Sequence, residues 1–207
     1  MKLSIELKIL IVLLAVAAVM WFIFSSGDNM NKVVVSTLMS GQNCNIDHLD
    51  PIYTTAFVTA GTYGIFSKNL TPKEISKVFW YTYFDRKIVN VKILKKSLIN
   101  KKDLNSFFSK YVFVSSKSAE ILKKDGYIKD TDYKKINSTL DNYNIATVQT
   151  MLSTRKGLPQ FSAYKLKVAL KFDNGKSEER DIVVMRVVSS ATGQPYKYLR
   201  WAISWIS

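Results

Sequence analysis

Cys44, Asp47, His48 and Asp50 stand close together in "CNIDHLDP". A thiol, an imidazole and two carboxyls are the groups that bind transition metals and move protons. A closed metal site needs three or four such ligands at workable spacing, and the chain holds one cysteine and one histidine. The spacing matches no zinc pattern. Asp50 immediately precedes Pro51, the arrangement of a helix cap followed by a first-turn proline, so it has a structural task already. The segment is expected to be a connecting loop and not a metal centre.

Other chemistry fares no better. A Ser-His-Asp hydrolase would have to use His48, and no G-x-S-x-G is present to hold a strained nucleophile. "GTYG" at Gly61–Gly64 is too short to cradle a phosphate and sits inside a helical pattern. Glu178, Glu179 and Asp181 border a hairpin and read as a solvated edge. The expectation is no catalytic residue, no cofactor-binding residue and no metal ligand: the chain is not an enzyme, and no small-molecule substrate is expected.

Net charge is +14 over 207 residues. Between Arg86 and Lys135 there are fourteen Lys/Arg against five Asp/Glu. Such a region can meet nucleic acid, anionic lipid or acidic protein. Most of these cations stand singly or in pairs between apolar residues, which favours a solvated lysine surface. Trp80, Tyr81, Tyr83, Phe84, Trp201 and Trp205 could stack on bases, but their helical and strand periodicities place them in a core, so a nucleic-acid partner is not favoured. Asn69-Leu70-Thr71 and Asn137-Ser138-Thr139 are glycosylation sequons, meaningful only in a eukaryotic secretory setting.

The N-terminus is more specific. From Ile9 to Phe24 no residue is charged, and Ser25, Ser26 and Gly27 carry the run to Asp28. As a helix rising ~1.5 Å per residue it reaches roughly 28 Å, close to a bilayer's hydrocarbon thickness. It ends in Met20, Trp21, Phe22, Ile23 and Phe24, a poor substrate for signal peptidase, and its aromatics suit a membrane–water boundary. A retained anchor over 9–27 is expected, with a cleaved signal peptide as the alternative. Lys2 and Lys8 place the tail, residues 1–8, in the cytoplasm and the rest outside it. Cys44 follows "SGQN", which is no lipoprotein signal, and a lone cysteine makes no internal disulfide.

Residues 28–49 read as a linker with one short strand at Val33–Val35, and 50–207 as one α+β domain. Asp50-Pro51 opens a helix with Ile52, Ala56, Phe57, Ala60, Tyr63 and Gly64 on one face. Thr71-Pro72-x-Glu74 is a capping box ahead of a second helix, with Ile75, Val78, Phe79, Tyr83 and Thr82 buried. "RKIVNVKIL" alternates through Val89, Val91 and Ile93 as a strand. "DLNSFFSKYVF" and "SSKSAEILKKDG" suggest short helices, the second stopped by Gly126. "DTDYKKINSTLDN" is ambiguous between helix and loop. Tyr164, Leu166, Val168, Leu170 and Phe172 share one face of a strand whose other face carries lysines. A two-residue Asn174-Gly175 turn leads to a partner strand with Val183, Met185 and Val187 inward. After a turn at "ATGQP", Leu199, Trp201, Ile203 and Trp205 alternate to the end, giving a three- or four-stranded antiparallel meander.

An anchor, several helices and a terminal curved meander resemble the nuclear-transport-factor-like cone. Within it, the chain resembles periplasmic-domain inner-membrane subunits of type IV secretion and conjugation systems. The IcmL/DotI-type members have a final hairpin and closing strand similar to "YKLKVALKFDNGKSEERDIVVMRVVSSATGQPYKYLRWAIS". The Asn-Pro-x-Gly turn of the other branch is absent, with "ATGQP" in a comparable place, and the cytoplasmic tail is shorter than in those subunits. The resemblance implies a non-catalytic subunit of a bacterial envelope complex, anchored in the inner membrane with its domain in the periplasm. Its implied partners are other envelope subunits and further copies of itself. The competing expectation is a cone that binds a small ligand, anchored or secreted.

Overall fold

The computed structural model describes residues 29–62, 64–100, 103, 106–107, 111–129, 132–141, 163–188 and 199–207. These form an α+β arrangement: helices packed on one face of a four-stranded antiparallel sheet of order β1-β2-β3-β4. The expected anchor and tail lie outside the described residues. Among those described, no helix is long and apolar enough to cross a membrane.

The stretch expected as a linker is instead α1 (Met30–Ser40), followed by 3-10 turns at Gly41–Asn43 and Ile46–His48. Asn29 caps α1, its Oδ1 accepting from Asn31 N at 3.0 Å. Met30, Val33, Val34, Thr37 and Leu38 recur at intervals of three and four and are buried. Three consecutive valines favour a strand locally. Only a helix, however, turns all five of these residues toward one core. α1 touches both β1 (Ile88–Leu98) and β4 (Leu199–Ile206), the two edge strands, so the sheet curls far enough for one helix to meet both edges.

α2 (Pro51–Thr62) begins where the Asp50-Pro51 pair predicts. Ala56, Phe57 and Ala60 are buried as expected, and so is Tyr53, which the apolar pattern passed over. Tyr63 and the side chain of Ile52 fall outside the described residues. Gly64 lies past the helix end at a φ of 71° and belongs to the turn, not the buried stripe.

In α3 (Pro72–Tyr83) the capping box forms: Thr71 Oγ1 accepts from Glu74 N at 3.4 Å while Glu74 Oε2 accepts from Thr71 N at 2.6 Å. Ile75, Val78 and Phe79 are buried on it. α4 (Ser116–Lys124) is capped by Ser115 and ended by Gly126 at a φ of 75°. The helix expected in "DLNSFFSKYVF" lies largely outside the described residues. Residues 133–141 are helical, with Asp132 Oδ1 accepting from Lys134 N and Lys135 N, and with Ile136 and Leu140 buried.

The sheet corrects three expected details. First, β2 (Ala163–Phe172) and β3 (Ser177–Val188) join through four residues, Asp173–Lys176, and not two. Phe172 closes a turn by accepting from Gly175 N at 3.0 Å, and its own N–H bonds Lys176 O at 2.9 Å. Gly175, at a φ of 81°, takes the left-handed position that follows such a turn. Second, irregular register in β1 between Ile88 and Asn90 breaks the alternation. Ile88 and Val91 face the core, and Val89 is turned out to 41% exposure. Third, both faces of β3 are covered. Ile182 and Val184 enter the main core, while Val183 and Met185 pack in a smaller cluster with Ile99, Ala163 and Ala202. A further irregularity pairs Val183 with Trp205 but Val184 with Ile203. Trp205 thereby joins the outer cluster beside Phe107, and Trp201, Ile203 and Ile206 stay with the main core.

Candidate functional site

The chemistry-bearing residues at 44–50 are spread apart by the fold. Cys44 is buried beside α3; burial pushes its thiol up to about 11, partly opposed by a hydrogen bond with Ser76. Asp47 faces solvent with a carboxylate oxygen 3.5 Å from Arg200. His48 Nδ1 is 3.2 Å from Thr37 Oγ1 on α1. Asp50 is fully buried: its Oδ2 accepts from Ser204 Oγ at 2.6 Å, and its N–H donates to Ile203 O at 3.0 Å. These contacts tie the 3-10 turns to α1 and seat the start of α2 on the irregular stretch of β4. Among the described residues no group of three or more His, Cys, Asp or Glu could hold a metal.

Where a cone would enclose a ligand, between helices and sheet, side chains fill the space. Tyr53 stands at the centre, its ring 4.8 Å from Phe57, 5.1 Å from Phe79 and 5.7 Å from Phe113. All four are buried to within 1% exposure. Their hydroxyl neighbours bond to the backbone: Tyr53 OH donates to Phe113 O at 3.3 Å. Thr82 Oγ1 lies 2.9 Å from Val78 O and 3.0 Å from Phe113 O. Ser118 Oγ sits 3.2 Å from Thr82 Oγ1. Burial raises the tyrosine hydroxyls at Tyr53, Tyr83 and Tyr111 far above their ordinary range, so they are neutral donors at any physiological pH.

The carboxylates bordering the hairpin pair across and along the strands. Asp181 meets Lys165 at 2.7 Å, Glu179 meets Lys167 at 2.8 Å, and Glu178 meets Arg180 at 2.8 Å. They are the charged face of a half-solvated sheet, and no two of them converge for acid–base work. The aromatics of the candidate stacking surface divide: Trp80 and Phe84 are buried, Tyr81 and Tyr83 half-buried, and Trp201 leans on Tyr164 at 5.7 Å.

The concave features lie outside. Three open cavities, of about 540, 480 and 240 Å³, follow α3 from its first turn to the residues beyond its end. The first is lined by Lys73, Glu74 and Tyr127, the second by Met39, Trp80 and Lys87, and the third by Tyr83, Lys176 and Arg180. Gln42 and Asn43 line both the first and second, and Asp85 and Arg86 both the second and third. The three therefore share walls in a row and together form an interrupted groove along α3. Comparison with protein-family models, curated proteins and solved structures returns no match.

At the head of this groove Glu74 is well tied. Desolvation raises its carboxyl, but hydrogen bonds from Tyr127 and Thr71, with Lys68 3.6 Å away, outweigh that and hold it below the usual range. The same contact, with burial, pushes Tyr127 up to about 12. Lys77 pairs with Asp125 nearby. The groove was not anticipated, because it needs the 3-10 turn at 41–43 as its second wall. Its trace in sequence is a stripe on α3, Lys73, Lys77 and Tyr81, at intervals of four along the less buried side of the helix.

Proposed function

We propose that the protein is a non-catalytic, membrane-anchored assembly subunit of a bacterial envelope secretion or conjugation complex. Its domain would stand in the periplasm and act through protein–protein contacts. The observation that carries this reading is the spacing between the apolar run and the fold. The uncharged stretch Ile9–Ser26 stops three residues before α1, and Met30, the first residue of α1, is already buried in the core. A tether that short couples the anchor to the domain and fixes which end of the domain faces the bilayer.

Other features agree. Three helices ahead of β1, further helix between β1 and β2, and a four-stranded antiparallel sheet whose edges curl onto one helix suit a nuclear-transport-factor-like cone. The ring-filled centre favours a structural cone over a ligand-binding one. Anchoring makes weak lateral contacts effective, because confinement raises the local concentration of neighbouring subunits. Self-association through strand addition is disfavoured at both edges. β1 carries irregular register and Lys92, Lys95 and Lys96, and β4 is bridged at Ile203 by Leu49. Contacts are accordingly expected through helix and loop surfaces.

Site-specific photo-cross-linking in the producing cell tests this. Probes at exposed positions on α1 and α3 are expected to trap other envelope proteins or further copies of the chain. A chain that traps nothing, and whose deletion leaves secretion and DNA transfer intact, would overturn the reading.

A further inference from the structure

The groove along α3 is open to solvent, and its chemistry is lopsided. Its cations include Lys73, Lys87 and Lys176, none of which makes an ion pair among the described residues. Its carboxylates are already engaged: Glu74 by Tyr127 and Lys68, Asp85 by Arg86 and Lys117, and Glu178 by Arg180. What remains unsatisfied in the groove is positive. The charge is spaced along its length, with one free lysine in each of the three cavities.

Its dimensions suit a chain and not a small molecule. α3 has twelve residues, about 18 Å at helical rise, and the groove continues beyond it to the β2–β3 hairpin. An extended peptide advancing ~3.3 Å per residue would place seven or eight residues in it. Met39, 41% exposed at the rim of the middle cavity, offers an apolar contact midway.

We infer that this groove docks an extended acidic segment of a partner protein. Carboxylates two or three residues apart would meet Lys73, Lys87 and Lys176, with an apolar side chain against Met39. A single-stranded nucleic acid fits less well. Trp80 and Phe84 are 4% and 3% exposed and show no open ring face for a base. Lipid fits less well too. The groove opens at the C-terminal end of α1, opposite the end joined to the apolar run. That last point rests on the anchored reading above; the charge and shape arguments do not.

The test is a fluorescence-anisotropy titration of the full-length chain in detergent micelles. Its probes are a labelled eight-residue peptide with four glutamates among leucines and serines, the same peptide with lysines, and an eight-nucleotide oligothymidylate. Binding of the glutamate peptide alone is expected, weakening as salt is raised. Lys73→Glu, Lys87→Glu and Lys176→Glu should each weaken it about three- to tenfold. The pair Lys92→Glu and Lys95→Glu, which alters net charge twice as much as any one groove variant but on β1 away from the groove, should change it less than twofold. Circular dichroism confirms that each variant is folded. The proposal is overturned if the glutamate peptide does not bind, if the β1 pair weakens binding as much as the groove variants, or if the oligonucleotide binds more tightly. The titration needs neither a bilayer nor an envelope partner, so its failure is distinguishable from failure of the anchored-assembly reading.

Discussion

Asp50 shows how a residue suited to chemistry becomes structural when its surroundings are known. It caps a helix in sequence terms, and in the fold its carboxylate also receives the Ser204 hydroxyl while its amide binds Ile203 O. Both bonds hold the point where β4 departs from regular pairing. A buried carboxyl in this position is expensive to strip of its partners. Asp50→Ala should therefore lower the unfolding free energy by about 2–3 kcal/mol, and Ser204→Ala by about 1–2 kcal/mol. Because the two share one bond, the double substitution should cost less than the sum. Urea titrations of the three variants would check this; strictly additive losses would mean the hydrogen bond contributes nothing. The helix-capping half of Asp50's role was legible from its place before Pro51. Its link to Ser204 was not, since 154 residues separate the pair.

At the scale of elements, the signals that translated directly were those with local mechanisms. Thr71 and Glu74 satisfy each other's backbone within one turn of helix, so their spacing alone specifies the cap. Gly126 ends α4 for an equally local reason, its left-handed backbone. The misses share a cause in longer-range packing. α1 looked like a linker because its valines are consecutive, and its helical face acquires meaning only with the curled sheet around it. β3 reads as having one core face, with Val183 and Met185 on it. Both are buried, but Ile182 and Val184 on the other face are buried too, which leaves alternation without a solvent side to read. Glu74 provides a pH signature for α3. Its folded carboxyl titrates below its unfolded value of about 4.3, held there by the contacts with Tyr127, Thr71 and Lys68 that outweigh desolvation. The stabilisation is thus present above the unfolded value and lost as pH falls through the folded one. Glu74→Gln should be less stable than the parent at pH 7, with the gap closing below about pH 4. Thermal melts from pH 7 to pH 3 would show it, and a gap that widened on acidification would contradict the assignment.

The whole molecule joins an uncharged run to a domain whose first helix is part of its core, with only Gly27, Asp28 and Asn29 between them. Among the described residues its surface carries a blunted sheet edge, a lysine-bearing outer face and a basic groove along α3. The class of the fold was readable from element order, whereas the groove was not, because its walls come from the 3-10 turn at 41–43, α3 and the β2–β3 hairpin at once. The anchored-assembly reading stands or falls on one biochemical measurement: alkaline carbonate extraction of membranes from producing cells, followed by mass determination of the detergent-solubilised material. The account predicts that the chain stays in the membrane pellet and then runs as a complex several times its own 23.6 kDa. A carbonate-soluble chain recovered as a 23.6 kDa monomer would contradict it.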